Sequence, residues 1–329
     1  MNDWMEKPVL LTGATGFMGS TLYPRLVEMG LDVRCATRRP EKARREHPGR
    51  KWVEMDVENA STVRSALEGC GSVFYLVHQM KSGEGYGERE KRSAETFLAA
   101  AEETGVRRIV YLGGVEPNEK PSEHLASRLQ TGRILRSGTV STIELRAAMI
   151  VSAQSESWQI VRDLAARLPI MILPHWTKSR SEPVHVDDVI VALCGALQLS
   201  VEESHAFDIP GPEILSVEEI LNKTAQILGY SVPKYPVPLL SPRLSSYWLR
   251  FVTRCDLFMA RELVDGLKSD LLAKDDSFWE RIDHTELISF EEAARDALEG
   301  TAPQSLLARG YEKLVGAVSR SGDEKSESA

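Results

Sequence analysis

Three glycines, Gly13, Gly16 and Gly19, follow the apolar run Val9-Leu10-Leu11 at three-residue spacing, and a helical pattern begins just behind them. A strand that feeds a helix through such a turn makes a cradle for a pyrophosphate. The first glycine allows the tight turn and the second lets the backbone approach the ligand. The third lets the helix pack against the sheet, and the positive helix N-terminus faces the phosphates. Thr15, Phe17 and Met18 share the turn and are expected to line the bound group. The strand before and the helix after are the context this motif requires.

The next informative position lies about twenty residues on, where a carboxylate would take an adenosine 2′-hydroxyl. The second strand instead ends Ala36-Thr37-Arg38-Arg39. Two guanidinium groups there suit a 2′-phosphate through charge-assisted, bidentate contacts, so NADP(H) is expected over NAD(H). The plainer alternative is a solvated basic helix start, since Arg44, Arg45 and Arg50 follow. Asp56 and Val57, after the third strand, are placed to hold the adenine. Leu76, Val77 and His78, after the fourth, are placed along the middle of the dinucleotide.

Positioning these groups takes a regular alternation of strands and helices. Strands are expected at 9–11, 31–37, 52–55, 72–77, 108–112 and 141–145, with helices between them. Ser61 is expected to cap the helix ending at Leu67, and Ser122 the helix ending near Ser137-Gly138. Such alternation predicts an α/β fold with a doubly wound parallel sheet. Residues 1–151 form the nucleotide-binding domain, and 184–212 are expected to return to its sheet. Residues 152–183 and 213–318 read as a smaller, mostly helical lobe, in which 168–183 looks like a loop. Ser216 with Glu219 forms a capping box there, and residues 319–329 read as a disordered tail.

Bulk properties narrow the function classes. The chain has 329 residues, 42% hydrophobic and 27% charged, enough for a full core. A net charge of −8 argues against a nucleic-acid partner. Residues 1–7 carry acids and no apolar core, unlike a signal peptide, and the longest apolar run, Val189 to Leu197, is too short to span a bilayer. Four scattered cysteines without a C-x-x-C pattern suggest reduced thiols, no metal site and a cytoplasmic location.

The sequence resembles the short-chain dehydrogenase/reductase superfamily, in its extended and atypical branch that includes NmrA-like and epimerase-type NAD(P)H-binding proteins. The resemblance rests on residues 12–19, Asp56-Val57, Val110-Tyr111-Leu112-Gly113-Gly114, Pro183-Val184-His185-Val186-Asp187-Asp188-Val189 and Phe207-Asp208-Ile209-Pro210-Gly211-Pro212. It implies a Rossmann-like fold. In that superfamily a serine follows the fifth strand, and a Tyr-x-x-x-Lys pair lies on the next helix, one turn apart on one face. Here Gly113-Gly114 stand at the strand end, and the best-placed pair on the helix is His124 with Arg128. Imidazole titrates near neutrality, so His124 either replaces the tyrosine as general acid or lines the cleft or faces water without chemistry. Arginine can donate to a ribose but cannot act as a base.

The resemblance also places a substrate lobe over the nicotinamide end. Trp158, Trp176, Tyr247, Trp248, Phe251, Phe258 and Met259 either line an apolar substrate pocket there or pack as core. Residues 239–252 could also lie on a membrane surface, although three nearby arginines favour a water-facing helix. The expected function is an NADP(H)-binding oxidoreductase acting on a carbonyl, alkene or quinone-like compound. The alternative is a non-catalytic NAD(P)H-sensing regulator or assembly factor, as in NmrA-like relatives.

Overall fold

A computed structural model describes residues 3–78, 85–167, 171–173, 175–201, 203–229, 234–236, 266 and 269–300. The first half alternates as expected: β1 (Val9–Leu11), α1 (Phe17–Glu28), β2 (Val33–Thr37), α2 (Pro40–Glu46), β3 (Lys51–Glu54), α3 (Ala60–Leu67), β4 (Ser72–Tyr75), α4 (Tyr86–Thr104), β5 (Arg108–Gly114), α5 (Glu123–Arg136) and β6 (Ser141–Ala147). There follow β7 (Ile150–Val151), α6 (Glu156–Arg167), β8 (Met171–Leu173), β9 (Arg180–Ser181), β10 (Val184–His185), α7 (Val186–Gln198), β11 (His205–Asp208), β12 (Leu215–Ser216), α8 (Val217–Ile227) and β13 (Lys234–Pro236). Two further helices, α9 (Phe278–Arg281) and α10 (Phe290–Glu299), close the described chain.

Seven strands form one sheet in the order β11-β6-β5-β4-β1-β2-β3, and every pairing in it is parallel. The order reverses at β1, which pairs with β2 on one side and β4 on the other. Crossovers leave β1 and β4 to opposite faces there, opening a crevice at their carboxyl ends. β11 adds beside β6, with Phe207 opposite Leu145, so the chain returns to the sheet after α7.

Strand periodicity explains how the sheet is covered on both faces. Val9 and Leu11 face one core with Leu22 and Leu26 of α1 and Val189 and Leu193 of α7. Leu10, between them, faces the other core with Val63, Phe97 and Ala101. Val110 and Leu112 point to the first core, Ile109 and Tyr111 to the second, as period-two alternation requires. Each buried leucine contributes about 1.5–3 kcal/mol relative to exposure.

A third cluster joins α6, α8 and α10. Trp158 is fully buried in it against Phe290, their rings 6.2 Å apart in an edge-on arrangement. This tryptophan is core. The other aromatics suggested for a substrate pocket lie outside the described residues or have undescribed side chains.

Two local expectations are corrected. Asn59, not Ser61, caps α3: the Asn59 side chain accepts from Ser61 N at 3.1 Å. Residues 168–183 are not simply a loop. β8 pairs with β13 and β9 with β12, and a short 3₁₀ turn spans His175–Lys178. Those pairings join segments more than thirty residues apart (Ser181 with Leu215, for example), so local pattern does not reveal them.

The acidic Val186-Asp187-Asp188 stretch is structural. Asp188 Oδ1 lies 2.8 Å from His284 Nε2, and Asp188 Oδ2 accepts from Ile288 N at 3.0 Å. His185 Nε2 lies 3.2 Å from Asp296 Oδ2. Asp208 Oδ2 accepts from Lys274 N, and Trp279 Nε1 donates to Pro210 O. Residues 274–296 are thereby fastened to the second half of the sheet.

Candidate functional site

The glycine turn explains itself sterically. Gly13 has φ +62°, and a Cβ there would lie 2.5 Å from the Leu76 carbonyl oxygen at the end of β4. A Cβ on Gly19 would lie 2.3 Å from Gly13 O and 2.8 Å from Ala14 Cα, so the helix packs on the turn without a side chain. Gly16 has more room, 3.2 Å to Gly13 O, which leaves the constraint there to whatever approaches from outside. Thr12 ties the two sides of the crevice together: its N and Oγ1 both donate to Phe74 O, and Leu76 N donates to Thr12 Oγ1 at 2.8 Å. The first turn of α1, with no acidic residue, directs its N–H groups outward from this floor.

A single cavity of about 1020 Å³ begins at this turn. Arg38, Arg39 and Lys42 line its outer end, beyond β2. Lys42 pairs with Glu46, and Arg44 with Glu41, whereas Arg38 and Arg39 enter no ion pair among the described residues. Asp56 and Val57 line the wall after β3, and Asp56 Oδ1 is occupied locally by Glu58 N at 3.1 Å. Leu76, Val77 and His78 line the middle. Thr15, Phe17, Met18, His124 and Arg128 are on the same surface, so the residues expected to bind the nucleotide and the His124/Arg128 pair all line one cavity.

The middle of the cavity holds a histidine pair. The His78 and His124 rings are 5.0 Å apart. His78 Nδ1 lies 2.6 Å from Glu90 Oε1, and Ser127 Oγ donates to Glu90 Oε2. Arg128 bends back onto the sheet: its Nη2 donates to Leu112 O, and its guanidinium carbon lies 5.2 Å from the Tyr111 ring centroid. Burial pushes His124 down to about 3, with His78 and Arg128 acting in the same sense and Glu90 opposing them. At neutral pH its imidazole is neutral, one nitrogen a donor and the other an acceptor.

Glu90 and Ser127 were missed from the sequence. Glu90 carries a signal in retrospect, being the acid in the buried stripe Tyr86, Glu90, Ala94, Phe97 and Ala101 of α4. Ser127 lies one turn beyond His124 on α5 but is an unremarkable residue in sequence.

Where the resembling superfamily keeps a serine, no side chain fits. A Cβ on Gly113 would lie 2.9 Å from Glu144 Oε1, and one on Gly114 would lie 2.6 Å from Leu125 Cδ1. Glu144 is buried between β5 and α5, bonded to Arg136 Nε at 2.8 Å and Arg146 Nε at 3.1 Å.

The same cavity is also lined by Ile160, Val161 and Leu164 of α6 and by Val217, Ile220 and Leu221 of α8, the cavity-facing edge of the third core cluster. Gln154, Ser155 and Ser157 add polar groups to the lining. Among the described residues no group of three or more His, Cys, Asp or Glu is placed to hold a metal ion, and no helix is long and apolar enough to cross a membrane.

Residues 13–165 match the family model described as NAD(P)H-binding. A (4-alkanoyl-5-oxo-2,5-dihydrofuran-3-yl)methyl phosphate reductase of Streptomyces griseus is 26% identical over 230 residues, 67% of this chain and 74% of that protein. The solved triphenylmethane reductase of Citrobacter, complexed with NADP(H), superposes with a TM-score of 0.70 at 16% identity, over 88% of this chain and 99% of that one. An NADPH-dependent quinone oxidoreductase of Escherichia coli, complexed with NADPH, gives a TM-score of 0.70 at 17% identity, over 87% and 98%. At these identities the two solved structures share the fold.

Proposed function

We propose that this chain, whose residues 13–165 match the NAD(P)H-binding family model, is an atypical short-chain dehydrogenase/reductase acting as an NADP(H)-dependent reductase of an apolar carbonyl, alkene or quinone-like acceptor. One observation carries the reading. The cavity lined by the glycine turn is lined as well by the two histidines and by apolar side chains of α6 and α8, so a nucleotide and an apolar acceptor can share it.

The residues present fit a dinucleotide, because the cradle at Gly13, Gly16 and Gly19 is kept clear of side chains that its own backbone would exclude. The N–H groups of the first turn of α1 would hold the pyrophosphate. Arg38, with Arg39 beside it, would take the 2′-phosphate. Asp56 and Val57 would border the adenine, and Leu76, Val77 and His78 the centre. Arg128, anchored on the Leu112 carbonyl, would still have N–H groups to offer the ribose. When bound, NADPH supplies a hydride at its nicotinamide ring.

His124 occupies the place of the superfamily's tyrosine but cannot work as an imidazolium acid at neutral pH, since burial keeps its ring neutral. A neutral imidazole can instead donate a hydrogen bond to the acceptor oxygen and polarise it, as a positioned electrophile. Apolar walls favour an acceptor with little polar surface beyond that oxygen. The relatives' names agree with reduction by NADPH in this fold, of a quinone in one case.

Acceptor-dependent NADPH oxidation over a panel of quinones and aldehydes tests the reading. Turnover that falls at least tenfold in His124→Gln supports it. Tight NADPH binding with no oxidation across the panel favours the cofactor-sensing regulator.

A further inference from the structure

Reduction of a neutral carbonyl or quinone needs a proton as well as a hydride, and His124 has none to spare. The structure holds a second imidazole beside it with a different environment. His78 sits just beyond β4, its side chain 30% exposed, so its ring meets both the cavity and solvent. Glu90 in the first turns of α4 is buried, only 7% of its side chain exposed, within an otherwise apolar helix face. Burying a carboxylate is costly unless it is hydrogen-bonded and faces positive charge. Both Glu90 oxygens have polar partners, His78 Nδ1 at 2.6 Å on one and Ser127 Oγ on the other.

We infer that the His78–Glu90 pair is the proton source of this site, with His78 as the acid and Glu90 as the residue that positions it. The inference rests on the reductase reading above. A carboxylate on Nδ1 orients the ring through Nδ1–H and leaves Nε2 to carry the transferable proton. Beside His78 lie Glu90 from α4 and His124 from α5, with Arg128 also near His124. His124 then polarises the acceptor oxygen as a neutral donor.

The balance is simple. On a carbonyl acceptor hydride forms the new C–H bond and the electron pair of the C=O bond moves to oxygen. That oxygen forms an O–H bond with the proton from His78 Nε2, and the N–H electron pair stays on the imidazole. On a quinone the same addition is followed by loss of that C–H hydrogen to solvent as a proton, the second oxygen gaining one as the ring becomes aromatic. The neutral imidazole recovers a proton from solvent at its exposed edge, and Glu90 keeps its charge throughout.

Two readouts test this. In the protein without cofactor, a proton shared between His78 Nδ1 and the Glu90 carboxylate resonates far downfield by NMR. It should vanish in both Glu90→Gln and His78→Gln. In turnover, a neutral quinone needs hydride and proton, whereas a triarylmethyl cation needs hydride alone. Either substitution should lower the quinone rate by about 100-fold and the cation rate far less. Equal losses on both acceptors, turnover indifferent to both substitutions, or no downfield proton in the wild-type chain would overturn the proton role alone. Failure of the wild-type chain to reduce any acceptor would overturn the reductase reading and this role with it.

Discussion

Gly113 and Glu144 stand so close across β5 and β6 that a Cβ on residue 113 would lie 2.9 Å from Glu144 Oε1. The strand end that holds a catalytic serine in the resembling superfamily is here backed by a buried carboxylate held between Arg136 and Arg146. Restoring the serine should therefore fail. Gly113→Ser is expected to cost about 1–3 kcal/mol in urea unfolding through overpacking, with no gain in NADPH oxidation. Gly132→Ala should cost more, because its Cβ would lie 2.3 Å from the same carboxylate oxygen.

Arg38 is expected to set the cofactor preference. A charge-assisted hydrogen bond contributes about 1.5–3 kcal/mol, or roughly ten- to a hundredfold in affinity. In calorimetric titrations Arg38→Ala should weaken NADPH by that factor and leave NADH nearly unchanged. The same loss for both nucleotides would place Arg38 away from the 2′-position.

The turn glycines should separate binding from folding. Gly19→Ala places a Cβ 2.3 Å from Gly13 O, a backbone atom that cannot yield, and should lower the melting temperature sharply. Gly16→Ala meets Gly13 O at 3.2 Å and should fold with a small loss. It should nonetheless bind NADPH at least tenfold more weakly by fluorescence titration, because its methyl group faces the pyrophosphate.

The neutral His124 gives a pH signature. Its folded pKa of about 3 lies below the ordinary histidine value of 6.5. Between those values the unfolded chain binds a proton that the folded chain refuses, so stability falls as the pH drops through this window and is fully present above it. His124 then contributes a slope of up to about 1.4 kcal/mol per pH unit. Urea unfolding of His124→Gln from pH 7 to pH 4 should show a shallower acid decline than the wild-type chain. Parallel curves would mean that the ring is charged in the fold.

What the sequence revealed, and what it hid, divides by distance along the chain. The glycine turn, Arg38 and the His124/Arg128 pair were legible because a strand-turn-helix unit and a single helix turn place them locally. The seventh strand was foreshadowed by the Phe207-Asp208-Ile209 segment. Glu90 was hidden because its role depends on His78, twelve residues away, and on Ser127, thirty-seven residues away. Asp188, within the stretch on which the resemblance rests, shows the same limit: its carboxylate is bound by His284 and Ile288 about a hundred residues on. Gly113 reads as a missing catalytic residue until Glu144, paired through the neighbouring strand, shows the position to be filled.

The central claim is that the cavity both holds NADPH and spends its hydride. A single-turnover reaction with NADPH deuterated at the transferring position, followed by mass spectrometry of the alcohol formed from an aldehyde acceptor, tests it most directly. One deuterium transferred from cofactor to product, with NADH reacting at least tenfold more slowly, is the predicted result. Deuterated NADPH recovered intact from a saturated complex, with no label in any acceptor, would contradict it.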